Sequence, residues 1–367
     1  MNAIDGVACA TPGCDNRGKP GRNIVGYGSF ATKSGRRRRY RCTVCRGTLS
    51  TNTGTAYRGL RCTRREFDYV ASLRVEGVSI SATARVTDHS RNTVARWLER
   101  ASTAARRFTD LMVRDFDLIE LQADELCTFV GNKNKTVWLF ATIEVSSRLW
   151  AGSVLGRRSD RNARAVISDV IRRGRVVGCP LIATDGCFES YVGAVGVLCG
   201  STCVYGHVLK TRRNNRVVRV ERRVKIGTAT RLKAALWESE DSETLNTSFI
   251  ERLNLTIRQG SAYLRRRSPC HARCEEPLRG HVELVRCHYN FVRPHRALKF
   301  GRETRTPAMQ AGLVSTRLTW SHIFTARGLS RRLLVAVVRM PVIVQLREPG
   351  TAELPTFSWP YEQRTAA

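Results

Sequence analysis

The sequence predicts an α/β protein in which a cysteine-rich segment and an all-helical segment precede a mixed β-sheet. Two pairs of closely spaced cysteines lie in the first fifty residues, and apolar residues recur at helical spacing over residues 63–107. From about residue 115 the pattern changes to short apolar and β-branched runs. A chain of 367 residues can hold two or three domains. We predict segments at 1–58, 59–110, 111–327 and 328–367, the last an extension of unknown role.

The chain is strongly basic, with 62 Lys and Arg against 31 Asp and Glu and a formal net charge of +31. Charge of this size says little about the fold but favours a polyanionic partner. General binding to acidic surfaces would fit the same composition. Few basic structural proteins reach this length, and we therefore favour nucleic acid as the partner.

Cysteine usage and hydropathy predict the compartment. The 13 cysteines are an odd number and show disulfide-like regularity only within the first fifty residues, which favours reduced thiols. The N-terminus lacks the pattern of a signal peptide, and no apolar run approaches the roughly 18 residues of a membrane span. We expect a cytoplasmic protein without a membrane partner.

The first two cysteine pairs have the spacing of a metal site. Cys9 and Cys14 form one pair, Cys42 and Cys45 the other, and a loop rich in Gly, Arg and Lys separates them. Two turns that each present two thiolates suit tetrahedral Zn²⁺, and a segment so small and polar would not fold without the metal. The spacing predicts a zinc ribbon with one structural Zn²⁺; four unrelated cysteines are the alternative.

Residues 63–107 predict three short helices. Thr63 and Glu66 have the spacing of a capping box, and Gly77 ends the first helix. A compact second helix and a turn at 87–90 follow. The third helix buries one set of residues (Val94, Trp97, Leu98, Ala101) and presents another outward (Arg91, Asn92, Arg96). This layout is typical of a DNA-binding helix-turn-helix, although any three-helix bundle fits the pattern.

The remaining apolar runs predict a mixed sheet flanked by helices. Strands are expected at 116–126, 135–145, 149–155, 180–184 and 204–209, and helices at 161–173 and 189–198. Three consecutive strands followed by helix, strand, helix and strand is the order of an α/β sheet. This order resembles the ribonuclease H-like fold, in which one acid lies on the first strand and another at the end of the fourth.

Three acidic residues are candidates for catalysis. Asp124 and Asp185 each lie near the end of an apolar run, and Glu251 lies at the start of a basic helix. Asp124 or its neighbour Glu125 can serve as the ligand, and Asp185 before Gly186 also suits a simple turn.

Glu251 has the strongest alternative, because Ser248 and Glu251 have capping-box spacing. Against a cap, Glu251, Asn254, Arg258 and Arg265 recur at helical intervals beside a buried stripe. A carboxylate that leads a cationic face suits a metal site beside DNA. We therefore predict that Asn254, Arg258 and Arg265 contact DNA.

Taken in order, these segments resemble bacterial insertion-sequence transposases of the DDE type, most nearly the insertion sequence one group. The resemblance covers roughly residues 7–327 and depends on the order and spacing of several motifs. The matching segments are the cysteine ribbon with 40–42 and 53–55, the helix-turn-helix, and residues 122–126, 183–185, 246–254, 289–295, 306–308 and 311–313. Cys127 departs from the pattern, which commonly has an aromatic there, and residues 268–276 are unusually rich in Cys and Pro.

The resemblance implies transposition by recognition of the element ends, metal-dependent cleavage and strand transfer. It selects Asp124, and with it Asp185 and Glu251, as catalytic ligands of two Mg²⁺ (or Mn²⁺) ions. The implied partner is double-stranded DNA, bound by a homodimer or larger assembly because two ends are joined. The main alternative is a DNA-binding protein or repressor descended from a transposase without catalysis. An RNA-binding structural protein is a weaker alternative, because it would explain the basic charge but not the predicted sheet and the three acids.

Overall fold

The computed structural model describes residues 7–326 apart from 20, 22, 33–34, 215 and 240, so the predicted extension 328–367 lies outside the described residues. The fold is mixed α/β. Its strands are β1 (Ile24–Thr32), β2 (Gly35–Cys42), β3 (Thr48–Ser50), β4 (Phe116–Val130), β5 (Asn132–Glu144), β6 (Leu149–Gly156), β7 (Gly174–Thr184), β8 (Val204–Arg213), β9 (Arg216–Ile226), β10 (Lys299–Phe300) and β11 (Glu303–Thr304).

The helices are α1 (Arg64–Val75), α2 (Ile80–Thr87), α3 (Arg91–Met112), α4 (Asp160–Arg173), α5 (Ser190–Leu198), α6 (Ala229–Ser239), α7 (Ser248–Gln259), α8 (Glu275–Cys287), α9 (Pro307–Gln310) and α10 (Trp320–Thr325). A π-helical turn, His288–Val292, continues α8. No helix within the described part of the chain is both long enough and apolar enough to cross a membrane.

The N-terminal segment is a three-stranded antiparallel sheet in the order β1-β2-β3. It has a core of its own, in which Ile24, Tyr40 and Leu49 pack with Val7 and two of the four cysteines. So few apolar side chains bury little surface, which makes the cysteines important for its stability.

Helix α1 begins at its predicted capping box, and α2 and α3 begin after the N-cap serines Ser79 and Ser90. Thr63 and Glu66 form the predicted capping box, and the Ser90 hydroxyl accepts a hydrogen bond from the Thr93 backbone amide at the start of α3. The prediction of a short third helix is wrong, because α3 continues for 22 residues. Its buried stripe extends to Phe108 and beyond, and the Phe108 ring meets Phe291 at 5.1 Å edge to face, so tertiary packing supports the added turns.

One hydrophobic core connects these helices with the large sheet, running from Tyr57 to Phe324. The last helix, α10, packs against α1: the Trp320 indole donates to the Ser72 hydroxyl at 3.0 Å, and the Phe324 ring lies 5.3 Å from that of Phe67. The boundary that we predict near residue 110 stays a prediction.

The large sheet has six strands in the order β6-β5-β4-β7-β8-β9. β4, β5 and β6 pair antiparallel, β4, β7 and β8 pair parallel, and β9 returns antiparallel along β8. Helices α4 and α5 cover one face, whereas α6 and α7 lie on the other. The predicted strands are confirmed apart from shifts at their ends, but β9 and α6 were not predicted.

Candidate functional site

The first two candidate acids lie side by side where β7 ends next to the middle of β4. Ala123 on β4 is paired with Thr184 on the parallel strand β7, so the next residues, Asp124 and Asp185, are level on neighbouring chains. Adjacent strands are about 4.8 Å apart. The apolar runs that precede both acids are the buried interior of these two strands.

A buried glutamine joins the third acid's helix to the same strand. The Gln122 side-chain oxygen accepts hydrogen bonds from the backbone amides of Phe249 and Ile250, both at 3.1 Å, in the first turn of α7. Gln122 and Asp124 share one face of β4, because side chains alternate along a strand. This link places the first turn of α7, which carries Glu251, over the strand that carries Asp124.

Asn254 completes this contact one turn further along α7. Its side-chain amide donates to Asp124 Oδ2 at 2.6 Å, while the Glu125 backbone amide donates to Oδ1 at 2.7 Å. Asn254 is only 9% exposed, so it orients the Asp124 carboxylate instead of presenting a polar group at the surface. Asn254 Oδ1 is buried and makes no hydrogen bond within the described chain, which leaves one oxygen at this site without a partner.

The capping-box alternative for Glu251 is wrong. The N-cap of α7 is Thr247, and Ser248 is the first helical residue, with its hydroxyl donating to Asn246 Oδ1 at 2.7 Å. The Glu251 carboxylate instead accepts a hydrogen bond from the Thr247 hydroxyl at 2.8 Å and forms an ion pair with Lys210 of β8. Glu251 therefore stands as a half-exposed carboxylate beside a lysine.

The electrostatics of the site favour a bound cation. Burial raises the pKa of Asp124 from 3.8 to about 7, and repulsion from Asp185 and, more weakly, from Glu125 and Glu251 adds to the shift. A divalent cation would relieve this repulsion, and carboxylate oxygens are the ligands that Mg²⁺ prefers. The donor set therefore fits a hard cation.

The three carboxylates are nevertheless not drawn into one compact group. In the described part of the chain, only the four N-terminal cysteines form a set of three or more Cys, His, Asp or Glu residues whose ligand atoms all lie within 4.8 Å of one another. Glu251 is held toward Lys210 and Asp124 toward Asn254. Lys210 and Asn254 therefore contact carboxylate oxygens that would bind a metal ion.

Glu125, the neighbour of Asp124, belongs to the opposite face of the sheet. It pairs with Arg158 at 3.2 Å, and the Arg158 guanidinium lies over the rings of Trp138 at 4.8 Å and Phe188 at 4.6 Å. Arg158 also donates to the Cys187 carbonyl at 3.3 Å, in the turn after Asp185. Glu125 and Arg158 therefore brace this turn from the side away from α7.

Asp185 also makes the turn that its sequence suggests. Its Oδ1 accepts a hydrogen bond from the Cys187 backbone amide at 2.9 Å, and Gly186 has a left-handed φ of +71°. A Cβ at Gly186 would lie 2.8 Å from Leu209 Cδ2 and 3.1 Å from His207 Cβ, so both the φ and the close packing favour glycine at this bend. The turn fixes the position of the Asp185 carboxylate at the end of β7.

The residues that we predict to contact DNA divide into two groups. Arg91, Asn92 and Arg96 are exposed in the first two turns of α3, as predicted. Arg258 is half-buried and donates to the Leu264 carbonyl at 3.0 Å. Arg265 is exposed, but α7 ends at Gln259, so the prediction that it shares a helical face with Glu251 is wrong.

The four predicted zinc ligands converge at the edge of the small sheet. Cys9 Sγ lies 3.6 Å from Cys45 Sγ, and Cys14 Sγ lies 3.9 Å from Cys42 Sγ. Zn–S bonds of about 2.3 Å in a tetrahedron place sulfurs about 3.8 Å apart, so this cluster can hold a structural zinc ion. Hydrogen bonding with the Thr11 hydroxyl and the Gly47 backbone lowers the pKa of Cys45 to about 6, which favours the thiolate that binds metal.

Replacing Gln122 with leucine is expected to destabilise the protein by about 3 kcal/mol, because two amides in the first turn of α7 lose their acceptor. The change also removes the amide donor to Glu120 Oε1 at 2.8 Å. Denaturant unfolding measures the loss. Gln259→Leu, at the exposed end of α7, is the control and should change stability by less than about 0.5 kcal/mol. Equal effects from the two substitutions would contradict the anchoring role.

Sequence reasoning missed Gln122, Lys210 and Arg158 as parts of the site. Each lies far along the chain from one of the acids that it contacts or braces, and only the folded sheet brings them together. No family model matches this chain, and comparison with curated proteins finds no match.

Proposed function

We propose that this protein is a DNA transposase of the DDE type, which cleaves DNA at the ends of its element and joins those ends to a target. The observation that carries the proposal is the level placement of Asp124 and Asp185 on parallel neighbours, with Glu251 in the first turn of a helix anchored to the same strand. Such an arrangement places three carboxylates around the point where the central strand β7 ends beside β4.

The order of the strands supports a ribonuclease H-like fold. The series β6-β5-β4-β7-β8 consists of three antiparallel strands followed by two parallel ones, with one acid on the first strand in sequence and one just after the fourth. That is the placement the sequence resemblance implies. β9 adds a further strand at the edge.

Divalent cations held by Asp124, Asp185 and Glu251 would stabilise the attacking and leaving oxygens when a phosphodiester is broken and re-formed. Other residues of the chain have distinct roles at this site. Asn254 orients the Asp124 carboxylate through its amide, and Gln122 fixes the helix that carries Glu251. Lys210, which forms an ion pair with Glu251, would supply a positive charge for a DNA phosphate beside the acids.

Helices α2 and α3 support a helix-turn-helix function in recognising the element ends. A short turn at Asp88–Ser90 separates them, and the exposed Arg91, Asn92 and Arg96 start the second helix. Arginine and asparagine make bidentate hydrogen bonds to guanine and adenine edges in the major groove. Because two ends must be joined, we propose a homodimer or larger assembly on DNA.

One observation favours a second candidate, a transposase-derived repressor without catalysis. Lys210 and Asn254 already satisfy carboxylate oxygens of Glu251 and Asp124, so the acids are partly neutralised by protein groups. In that case the fold would bind element ends and leave them intact.

The deciding experiment incubates purified protein with a duplex carrying the end of its element, with Mg²⁺, with Mn²⁺ or with neither. We expect strand cleavage only with a divalent ion, and transfer of the freed 3′ end to a second duplex. Tight end binding without cleavage under every condition would favour the repressor, and absence of DNA binding would contradict both functions.

A further inference from the structure

The outer part of the β8–β9 hairpin is a two-stranded ribbon, residues 211–214 and 216–220, which we name the basic ribbon. Every one of these residues is exposed, including those on both faces of β9. Pairing continues to the end of the ribbon, where Arg212 lies opposite Val217 and Arg213 opposite Arg216. The register shifts once within the ribbon, between Thr211 and Arg212. A paired ribbon that is exposed on both faces is available to a partner.

The charge of the basic ribbon is of one sign. It contains four arginines and no acidic residue. Arg219 pairs with Glu221 at 3.1 Å at the inner end. Arg212, Arg213 and Arg216 form no ion pair with any residue that the structure describes. Three neighbouring guanidinium groups therefore face solvent without a counter-charge.

Three valines, Val217, Val218 and Val220, lie among these arginines on β9. Val217 is 44% exposed and Val218 58%, a high exposure for β-branched apolar side chains. Arginine and apolar side chains together match the surface of DNA, where phosphates flank sugars and thymine methyl groups. The major groove is wide enough to admit a two-stranded β-ribbon.

The ribbon begins beside the candidate active site. Lys210, the residue before it on β8, contacts Glu251. A strand rises about 3.4 Å per residue, so Arg213 lies roughly 10 Å beyond Lys210, about three base-pair steps along a duplex. The arginines are thus placed over DNA that flanks a phosphate held at the acids.

A second copy of the chain is the alternative partner for the exposed edge strand β9. Pairing two β9 edges antiparallel would set arginines against arginines, which opposes association, and cationic side chains on an edge strand commonly prevent such pairing. The chain as a whole carries a formal net charge of +31, which also repels a second copy and attracts a polyanion.

We propose that the basic ribbon inserts into a groove of the DNA that flanks the cleavage site and holds it mainly through phosphate contacts, without reading sequence. This inference deepens the proposed function and rests on it. In this proposal Arg212, Arg213 and Arg216 bind the DNA backbone near the scissile phosphate, whereas α3 recognises bases.

The test compares Arg212→Gln/Arg213→Gln/Arg216→Gln with wild-type protein, using an element-end duplex and an unrelated duplex over a series of salt concentrations. We expect affinity for both duplexes to fall by a similar factor, roughly tenfold or more at low salt. The slope of log affinity against log salt should decrease by about two to three. Since all three residues are exposed, the melting temperature should not change.

A matched control removes three exposed arginines from α4, on the other face of the sheet: Arg161→Gln/Arg164→Gln/Arg172→Gln. If both triple variants lose affinity equally, net charge explains the loss and the ribbon has no special role. Unchanged binding by the ribbon variant, in a protein whose wild type binds and cleaves DNA, overturns this inference alone. A ribbon variant that loses dimerisation but keeps its affinity for DNA would make the ribbon a contact between copies and would also overturn it. Wild-type protein that binds no DNA contradicts the proposed function itself.

Discussion

Asp124→Asn is expected to abolish metal-dependent DNA cleavage while making the protein without added Mg²⁺ more stable. Asparagine keeps the shape of the side chain. Its single oxygen can accept from the Glu125 backbone amide, and its NH2 group can donate to Asn254 Oδ1 when the Asn254 amide is flipped. Asparagine lacks the negative charge that a hard cation requires. Glu251→Gln and Asp185→Asn should likewise lose cleavage while retaining folding and binding to DNA ends.

The stability gain follows from the raised pKa of Asp124, which is about 7 in the folded protein because of burial and then repulsion from Asp185. The unfolded chain releases this proton near pH 4, whereas the folded protein holds it up to about pH 7. Wild-type stability should therefore fall as the pH rises through this window, by up to about 4 kcal/mol. The Asp124→Asn variant has no carboxyl group here, so its free energy of unfolding should not fall in this way as the pH rises.

Urea unfolding at pH 5 and pH 8 without added Mg²⁺ measures the effect. The variant should exceed wild type in free energy of unfolding at pH 8, and the difference should shrink at pH 5. Added Mg²⁺ should stabilise wild type and leave the variant unchanged.

Glu125→Gln is the matched comparison, because Glu125 is the adjacent carboxylate but faces Arg158 on the other side of the sheet. We expect it to retain cleavage. If Glu125→Gln abolishes cleavage and Asp124→Asn does not, the ligand is Glu125, and our choice between the two neighbouring acids is wrong.

The positions of Asp124 and Asp185 could be predicted because the residues just before each acid, 120–123 and 181–184, are buried on both faces of the sheet. Asp185 directly follows the last residue of β7, whereas β4 continues beyond Asp124 to Val130. Parallel pairing then brings the two acids level. This part of the site therefore follows from the apolar runs in the sequence and from the parallel pairing of β4 with β7.

Orientation of the side chains could not be predicted in the same way. Asn254 has helical spacing from Glu251, which suggests a surface role, but the packing of α7 on β4 turns its amide toward Asp124. The sequence did not predict β9, for a different reason. Every residue from Arg216 to Val220 is exposed, so the strand lacks the buried run that signals one, and only its backbone pairing with β8 defines it.

Replacing Cys42 and Cys45 with serine is expected to remove zinc and unfold the N-terminal sheet. Serine hydroxyls do not replace thiolates as zinc ligands, and structural zinc sites contribute about 10–16 kcal/mol of apparent binding free energy. The core of this sheet has few members besides the cysteines, among them Ile24, Tyr40 and Leu49. Burial of so few side chains cannot offset the chain entropy of ordering the segment.

Metal analysis should give about one zinc per wild-type chain and almost none for the double variant. Limited proteolysis should then cut within the first fifty residues, while the rest keeps its cooperative thermal transition, because the two cores share no residue. Cys127→Ser, an exposed thiol outside the cluster, is the control and should retain zinc. Folded wild-type protein without zinc would contradict the site. An N-terminal sheet that resists proteolysis in the double variant would show that its few apolar side chains suffice without metal.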